Sequence, residues 1–197
     1  LSVAVEGDTI ELAPGRYEEV LSITVPGITI RSSKRHKAII SSRKGEDSLS
    51  VITVEAYEVT LEDIDVRGRG SSANSCEGQD TIPAILILAP DVEVIGCKIT
   101  GMCIGIKTYE TGTKVTACEV SVRKTAILAM ELSAEVRIDR CSLKSTNDTG
   151  IWFLGAARSG IIETMVDKCG HTGIWLDSSP AILKDVTVNE SKNRGIV

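Results

Sequence analysis

Gly150-Ile151-Trp152-Phe153-Leu154 returns 23 residues later as Gly173-Ile174-Trp175-Leu176-Asp177, and the two copies follow the polar turns Asn147-Asp148-Thr149 and Gly170-His171-Thr172. A small residue, then Ile, then a bulky apolar run reads as a turn opening a short strand. The pattern extends in both directions. Small-residue-plus-Ile occurs at Ala84-Ile85, Gly105-Ile106, Ala126-Ile127, Gly150-Ile151, Gly173-Ile174 and Gly195-Ile196, at intervals of 21, 21, 24, 23 and 22 residues. A fixed period of this size is the mark of a repeat architecture.

Each unit carries three short stretches of two-residue alternation. Ile52 and Val54 are followed by Val59 and Leu61, then by Ile64 and Val66; the next unit has Ile85 and Ile87, Val92 and Val94, Cys97 and Ile99. The later units continue with Ile106, Val115, Cys118 and Val120, and with Ile127, Val136, Ile138, Cys141 and Leu143. The spacing then predicts inward Ile151, Phe153, Ile162 and Val166, with one residue fewer before the third strand, and last Ile174, Leu176, Ile182, Val186 and Val188. No 3.6-residue stripe of useful length appears, so helix should be negligible. Three strands per period with short turns imply a coil of parallel strands stacked about 4.8 Å apart. One rung cannot bury its own apolar face, and stacking supplies the core. A leucine-rich repeat would need L-x-x-L-x-L-x-x-N spacing, which no unit shows.

The 197 residues read as one domain of about seven to eight rungs, residues 1–197, with insertions at 41–50 and 67–83. The abrupt ends suggest a piece of a longer chain. Aromatic residues make up only 3%, so the core must be aliphatic. A net charge of −5 without a basic patch gives no reason to expect nucleic acid. No apolar run approaches the roughly 18 residues of a membrane span. Cys97, Cys118 and Cys141 occupy equivalent places in successive units, where Ile64 and Val186 stand in others. Cysteine there behaves as a small buried hydrophobe. The six cysteines are therefore expected to be free thiols rather than a disulfide framework, which favours an intracellular, cytoplasmic location. No CxxC or CxxH spacing suggests a metal, and no cofactor is expected.

The chain resembles the right-handed parallel β-helices of the pectin-lyase-like superfamily, and Gly7-Asp8-Thr9-Ile10…Pro14-Gly15-x-Tyr17 resembles the amino-terminal opening of such domains. The resemblance covers essentially the whole chain and implies an all-β, single-stranded parallel β-helix. It leaves function open, because a fold does not fix a function.

Alternation assigns the outward positions beside the inward Ile of each unit. They are Leu86, Lys107, Leu128, Trp152 and Trp175, followed by Leu88, Tyr109, Met130, Leu154 and Asp177. A contiguous apolar strip on a soluble protein marks an interface, and tryptophan is favoured at binding hot spots. Trp152, Trp175, Leu86, Leu128, Met130, Leu154, Lys107 and Tyr109 are thus the candidate binding residues. The partner is expected to be a protein or a flanking segment of the same chain, with carbohydrate as the alternative. Two residues before each small-Ile pair stand Cys103, Lys124, Asp148, His171 and Asn193, which stacking should align. Asp148, His171 and Asp177, with Arg158 in the following turn, are the alternative catalytic set for a lyase or hydrolase acting on sugar. Polygalacturonases carry Asn-Thr-Asp, Asp-Asp and Gly-His-Gly, whereas this chain offers Asn147-Asp148-Thr149 and Gly170-His171-Thr172 without an Asp-Asp pair or Arg-Ile-Lys. The Asp-Phe-x-x-Gly pattern of pectin methylesterases and a carboxylate cluster for the calcium of pectate lyases are also missing. Arg67, Arg69, Glu77 and Asp80 in the second insertion are further candidate contacts, since loops on a rigid scaffold often carry recognition.

The expectation is a non-catalytic binding or scaffold module. Four asparagines, the thiol ladder and the apolar ribbon are similar to intracellular eukaryotic β-helices. These include the SHC SH2-domain-binding protein family and the β-helix F-box adaptors, which bind proteins through a lateral face.

Overall fold

A computed structural model describes residues 3–43, 49–68, 76, 82–130, 134–145 and 147–197. Among the described residues, twenty-four strands form three parallel sheets of eight, and no α-helix occurs. The first sheet holds β1 (Thr9–Leu12), β4 (Thr29–Ser32), β7 (Thr60–Glu62), β10 (Glu93–Ile95), β13 (Lys114–Thr116), β16 (Arg137–Asp139), β19 (Ser159–Ile162) and β22 (Ala181–Lys184). The second holds β2 (Gly15–Glu18), β5 (Ala38–Ser41), β8 (Asp65–Arg67), β11 (Lys98–Thr100), β14 (Glu119–Val122), β17 (Ser142–Ser145), β20 (Met165–Asp167) and β23 (Thr187–Asn189). The third holds β3 (Leu21–Ile23), β6 (Ile52–Val54), β9 (Pro83–Ile87), β12 (Ile104–Thr108), β15 (Thr125–Ala129), β18 (Ile151–Leu154), β21 (Thr172–Asp177) and β24 (Arg194–Ile196). Each turn visits the three sheets once, giving a parallel solenoid of about seven turns.

The small-Ile period is the pitch of this solenoid. Ile52, Ile85, Ile106, Ile127, Ile151, Ile174 and Ile196 pair in unbroken register. The first six of these isoleucines are fully buried. The small residue before them is required by a close approach. A Cβ at Gly173 would meet Val188 Cγ1 of the second sheet and the carbonyl oxygen of Gly195 on the next rung. Ala84 and Ala126 place a buried methyl at the same corner, and only before Ile52 does a larger residue, the buried Val51, stand there.

Two inward positions differ from the alternation read in sequence. Ile161, not Ile162, pairs with Ile138 and enters the core, and Leu183, not Ile182, pairs with Ile161. Ile182 is 72% exposed. Ile161-Ile162 and Ile182-Leu183 are consecutive apolar residues, so hydrophobicity alone leaves the two-residue phase undefined there. With the phase corrected, the turn before the third strand has its usual length.

From β7 onward, the bend from first to second sheet turns on one left-handed residue per rung: Asp63, Gly96, Ala117, Arg140, Glu163 and Asp185, with φ of 57°, 60°, 53°, 51°, 46° and 53°. A side chain in this region costs about 1–2 kcal/mol, part of which glycine returns through its freer unfolded chain. Ala117→Gly is therefore expected to stabilise the fold by about 0.5–1 kcal/mol, read as a higher denaturant midpoint at unchanged m-value.

Next to that bend, Cys97, Cys118 and Cys141 are free and buried, as the ladder implies. Their thiols donate to the carbonyls of Leu61, Val94 and Val115 at 3.6, 3.4 and 3.4 Å. Hydrogen bonding with Cys118, reinforced by burial, holds the Cys141 thiol far above its ordinary value of 9.0. A group whose folded pKa is raised gives stability that is complete below its unfolded pKa and lost as pH rises through and beyond it. Stability should thus fall above about pH 9, by up to about 1.4 kcal/mol per pH unit for this thiol. Cys141→Val should flatten that part of the decline in urea titrations at about pH 8 and about pH 10.5.

The remaining cysteines correct the expectation of six free thiols. Cys169 is free and buried, but Cys76 and Cys103 form a disulfide with Cα atoms 5.5 Å apart. Cys76 lies in an insertion, outside the repeat, so periodicity carried no information about its partner. The argument from six free thiols to a reducing compartment falls with it.

Candidate functional site

Both insertions leave the solenoid at the corner between second and third sheets, between β5 and β6 and between β8 and β9. Arg69, Glu77 and Asp80 lie outside the described residues. Arg67 is anchored at this corner: its guanidinium grips the buried Asp65 carboxylate through Nε and Nη2, with a shortest distance of 2.6 Å. That hydrogen bond raises the Arg67 pKa further.

On later rungs the same corner stacks the predicted column. The Cys103 carbonyl accepts from the Lys124 amide at 2.8 Å, Asp148 from His171 at 3.1 Å and His171 from Asn193 at 3.0 Å. Beside the column, on the outer face of the third sheet, lies a groove of about 570 Å³. Its lining combines the corner residues Lys124, Thr125, Asp148 and His171 with the ribbon residues Lys107, Leu128, Met130, Trp152, Leu154 and Trp175, and with Ile104. The two sets of sequence candidates thus meet in one concavity, polar along the corner and apolar across the sheet. Leu86 and Tyr109 are half-buried on the same face but do not line it. The Lys107 ammonium stands 4.9 Å from the Tyr109 ring centre, a cation–π contact that holds this lysine over the sheet. Ile104 and Thr125 were not anticipated, because the strand begins earlier here than the small-Ile pair suggests.

Register explains the aromatic wall. Trp152 pairs directly with Trp175, and the rings stack with centroids 5.0 Å apart and planes 9° apart. That separation matches the spacing of adjacent strands, so the stack runs along the solenoid axis and each indole keeps one face uncovered by the other. Trp152 Nε1 is buried without a hydrogen-bond acceptor.

The alternative catalytic residues are only partly brought together. His171 Nδ1 meets Thr172 Oγ1 at 2.8 Å and Nε2 meets Asn193 Nδ2 at 2.8 Å, so both ring nitrogens have neutral partners. Asp148 Oδ1 accepts from Thr149 Oγ1 at 3.2 Å. Asp177 sits at the far end of β21, five residues beyond Thr172, or about 16 Å at the rise of a strand. Paired carboxylates of glycosidases stand about 5–9.5 Å apart, and Asp177 does not line the groove. Arg158 pairs with Glu135 at 3.2 Å on the opposite corner. No cluster of His, Cys, Asp or Glu fit for a metal exists among the described residues. No helix among the described residues is long and apolar enough to cross a membrane.

These features define a parallel β-solenoid with a lateral groove on one sheet. The right-handed beta helix region family matches residues 83–197, more than half of the chain, and the chain belongs to that family. No curated protein matches the sequence. Among solved structures, the Dettilon tailspike protein superposes with a TM-score of 0.74 at 15% identity, over 95% of this chain and 39% of its own. Pectate lyase Pel9A gives 0.70 at 10% identity, over 94% and 55%. The pectin methylesterase of Yersinia enterocolitica gives 0.55 at 12% identity, over 100% and 91%. The chain therefore spans about two fifths of the tailspike and just over half of the lyase. At these identities the likeness is one of fold alone.

Proposed function

We propose that the chain is a binding module whose lateral groove receives a stretch of oligosaccharide without cleaving it. The observation that carries this reading is the parallel Trp152–Trp175 stack standing beside a polar corner in one groove. A sugar ring has an apolar face suited to an indole and a rim of hydroxyls suited to Lys124, Asp148 and His171. Pockets that combine an apolar lining with a few convergent polar groups are the usual form of ligand sites. The proteins of similar fold, a pectate lyase, pectin methylesterases and a tailspike, lend support at the level of class. The separation of Asp177 from Asp148 and His171 argues for binding over hydrolysis. Titration with oligosaccharides should change tryptophan emission saturably, since both tryptophans of the chain are in the groove. No change across neutral and acidic oligosaccharides would refute the reading.

A second reading rests on Leu128, Met130 and Leu154, aliphatic groove residues suited to a protein segment. It keeps the likeness to the intracellular adaptor β-helices as its analogue. A saturable response to an apolar peptide, with none to sugars, selects it.

A further inference from the structure

Cys76 belongs to the insertion that follows β8, and Cys103 lies at the same corner one rung later, between β11 and β12. The corner is tied to the insertion twice, by the Gly68 amide on the Thr100 carbonyl at 2.9 Å and by the disulfide itself. Cys103 in turn supports the next rung. Its carbonyl accepts from the amides of Lys124 at 2.8 Å and Thr125 at 3.1 Å. Both of those residues line the groove, as does Ile104, the neighbour of Cys103. The other four thiols are buried in the solenoid wall, whereas Cys76 is partly exposed.

We propose that Cys76–Cys103 is a redox clasp on the groove. Oxidised, it fixes the corner that presents Lys124 and Thr125; reduced, it frees that corner. A dithiol reductant attacks the more accessible sulfur of Cys76, forming a mixed disulfide and releasing Cys103 as a thiolate, which takes up a proton. The reductant's second thiol then attacks its own bound sulfur, freeing Cys76 as a thiol. Two electrons and two protons pass to the protein, and the dithiol leaves as a cyclic disulfide. The effect on ligand affinity rests on the oligosaccharide reading, but the clasp itself does not.

The test needs no groove ligand, so its failure is distinct from failure of that reading. The native chain is treated with an alkylating reagent before and after dithiothreitol and mapped by mass spectrometry, with amide hydrogen exchange followed in parallel. The expected result is no labelling before reduction and labelling of Cys76 and Cys103 alone afterwards. Exchange at Lys124 and Thr125 should become severalfold faster, and Cys76→Ser should show the fast exchange without reductant. Labelling of either cysteine before reduction overturns the proposal. So does unchanged exchange at Lys124 and Thr125 in the fully reduced chain.

Discussion

Trp152→Ala with Trp175→Ala is expected to weaken oligosaccharide binding about a hundredfold or more while leaving the solenoid folded. Aromatic side chains at the centre of a binding site commonly cost about 2 kcal/mol or more each when truncated. Because the two rings stack on each other their losses overlap, and a combined loss of about 2.7 kcal/mol or more, below the simple sum, is a factor of about a hundred or more. The fold should survive because both indoles lie on the outer face, opposite the inward Ile151 and Ile174. What the structure itself loses is the ring pair, about 0.5–1.5 kcal/mol beyond area. Calorimetric titration against wild type reads the affinity, and the denaturant midpoint reads the fold. Unchanged affinity in a folded double variant would remove the groove from the account.

Phe153→Ala should act in the opposite way, with a large loss of stability. Phe153 is the one phenylalanine and the largest of the fully buried side chains. It points inward between Ala129 on the preceding rung and Leu176 on the next. Hydrogen-bonded rungs hold their spacing, so neighbours cannot close over the space. The expected cost is about 3–5 kcal/mol. In a solenoid, rungs contact only their neighbours and stability is nearly a sum of local terms. Hydrogen exchange should therefore accelerate first in β18 and β21, and a uniform acceleration along all eight strands of the third sheet would contradict that picture.

The period was legible because an inward isoleucine recurs from Ile52 to Ile196 and a close approach keeps the residue before it small at Gly105, Gly150 and Gly173. The phase failed at Ile162 and Ile182, where adjacent apolar residues offer two equivalent alternations and only the register with Ile138 decides. The outer ribbon and the corner column were both readable from alternation. That they border one groove was not, because concavity depends on how far Trp152 and Trp175 stand above Leu128 and Lys107. Asp177 was grouped with His171 as an outward residue of the same rung, although the length of a strand separates them. The Cys76–Cys103 bond was invisible for a further reason, since insertions carry no period.

The most direct test of the groove is a map of amide and indole NMR shifts during titration with an oligosaccharide that binds. The account predicts that the largest changes fall on Lys107, Lys124, Leu128, Trp152, His171 and Trp175, including both indole N–H signals, and fade toward Arg158 on the opposite corner. Changes concentrated on the first or second sheet, with both indole signals unmoved at saturation, would contradict it.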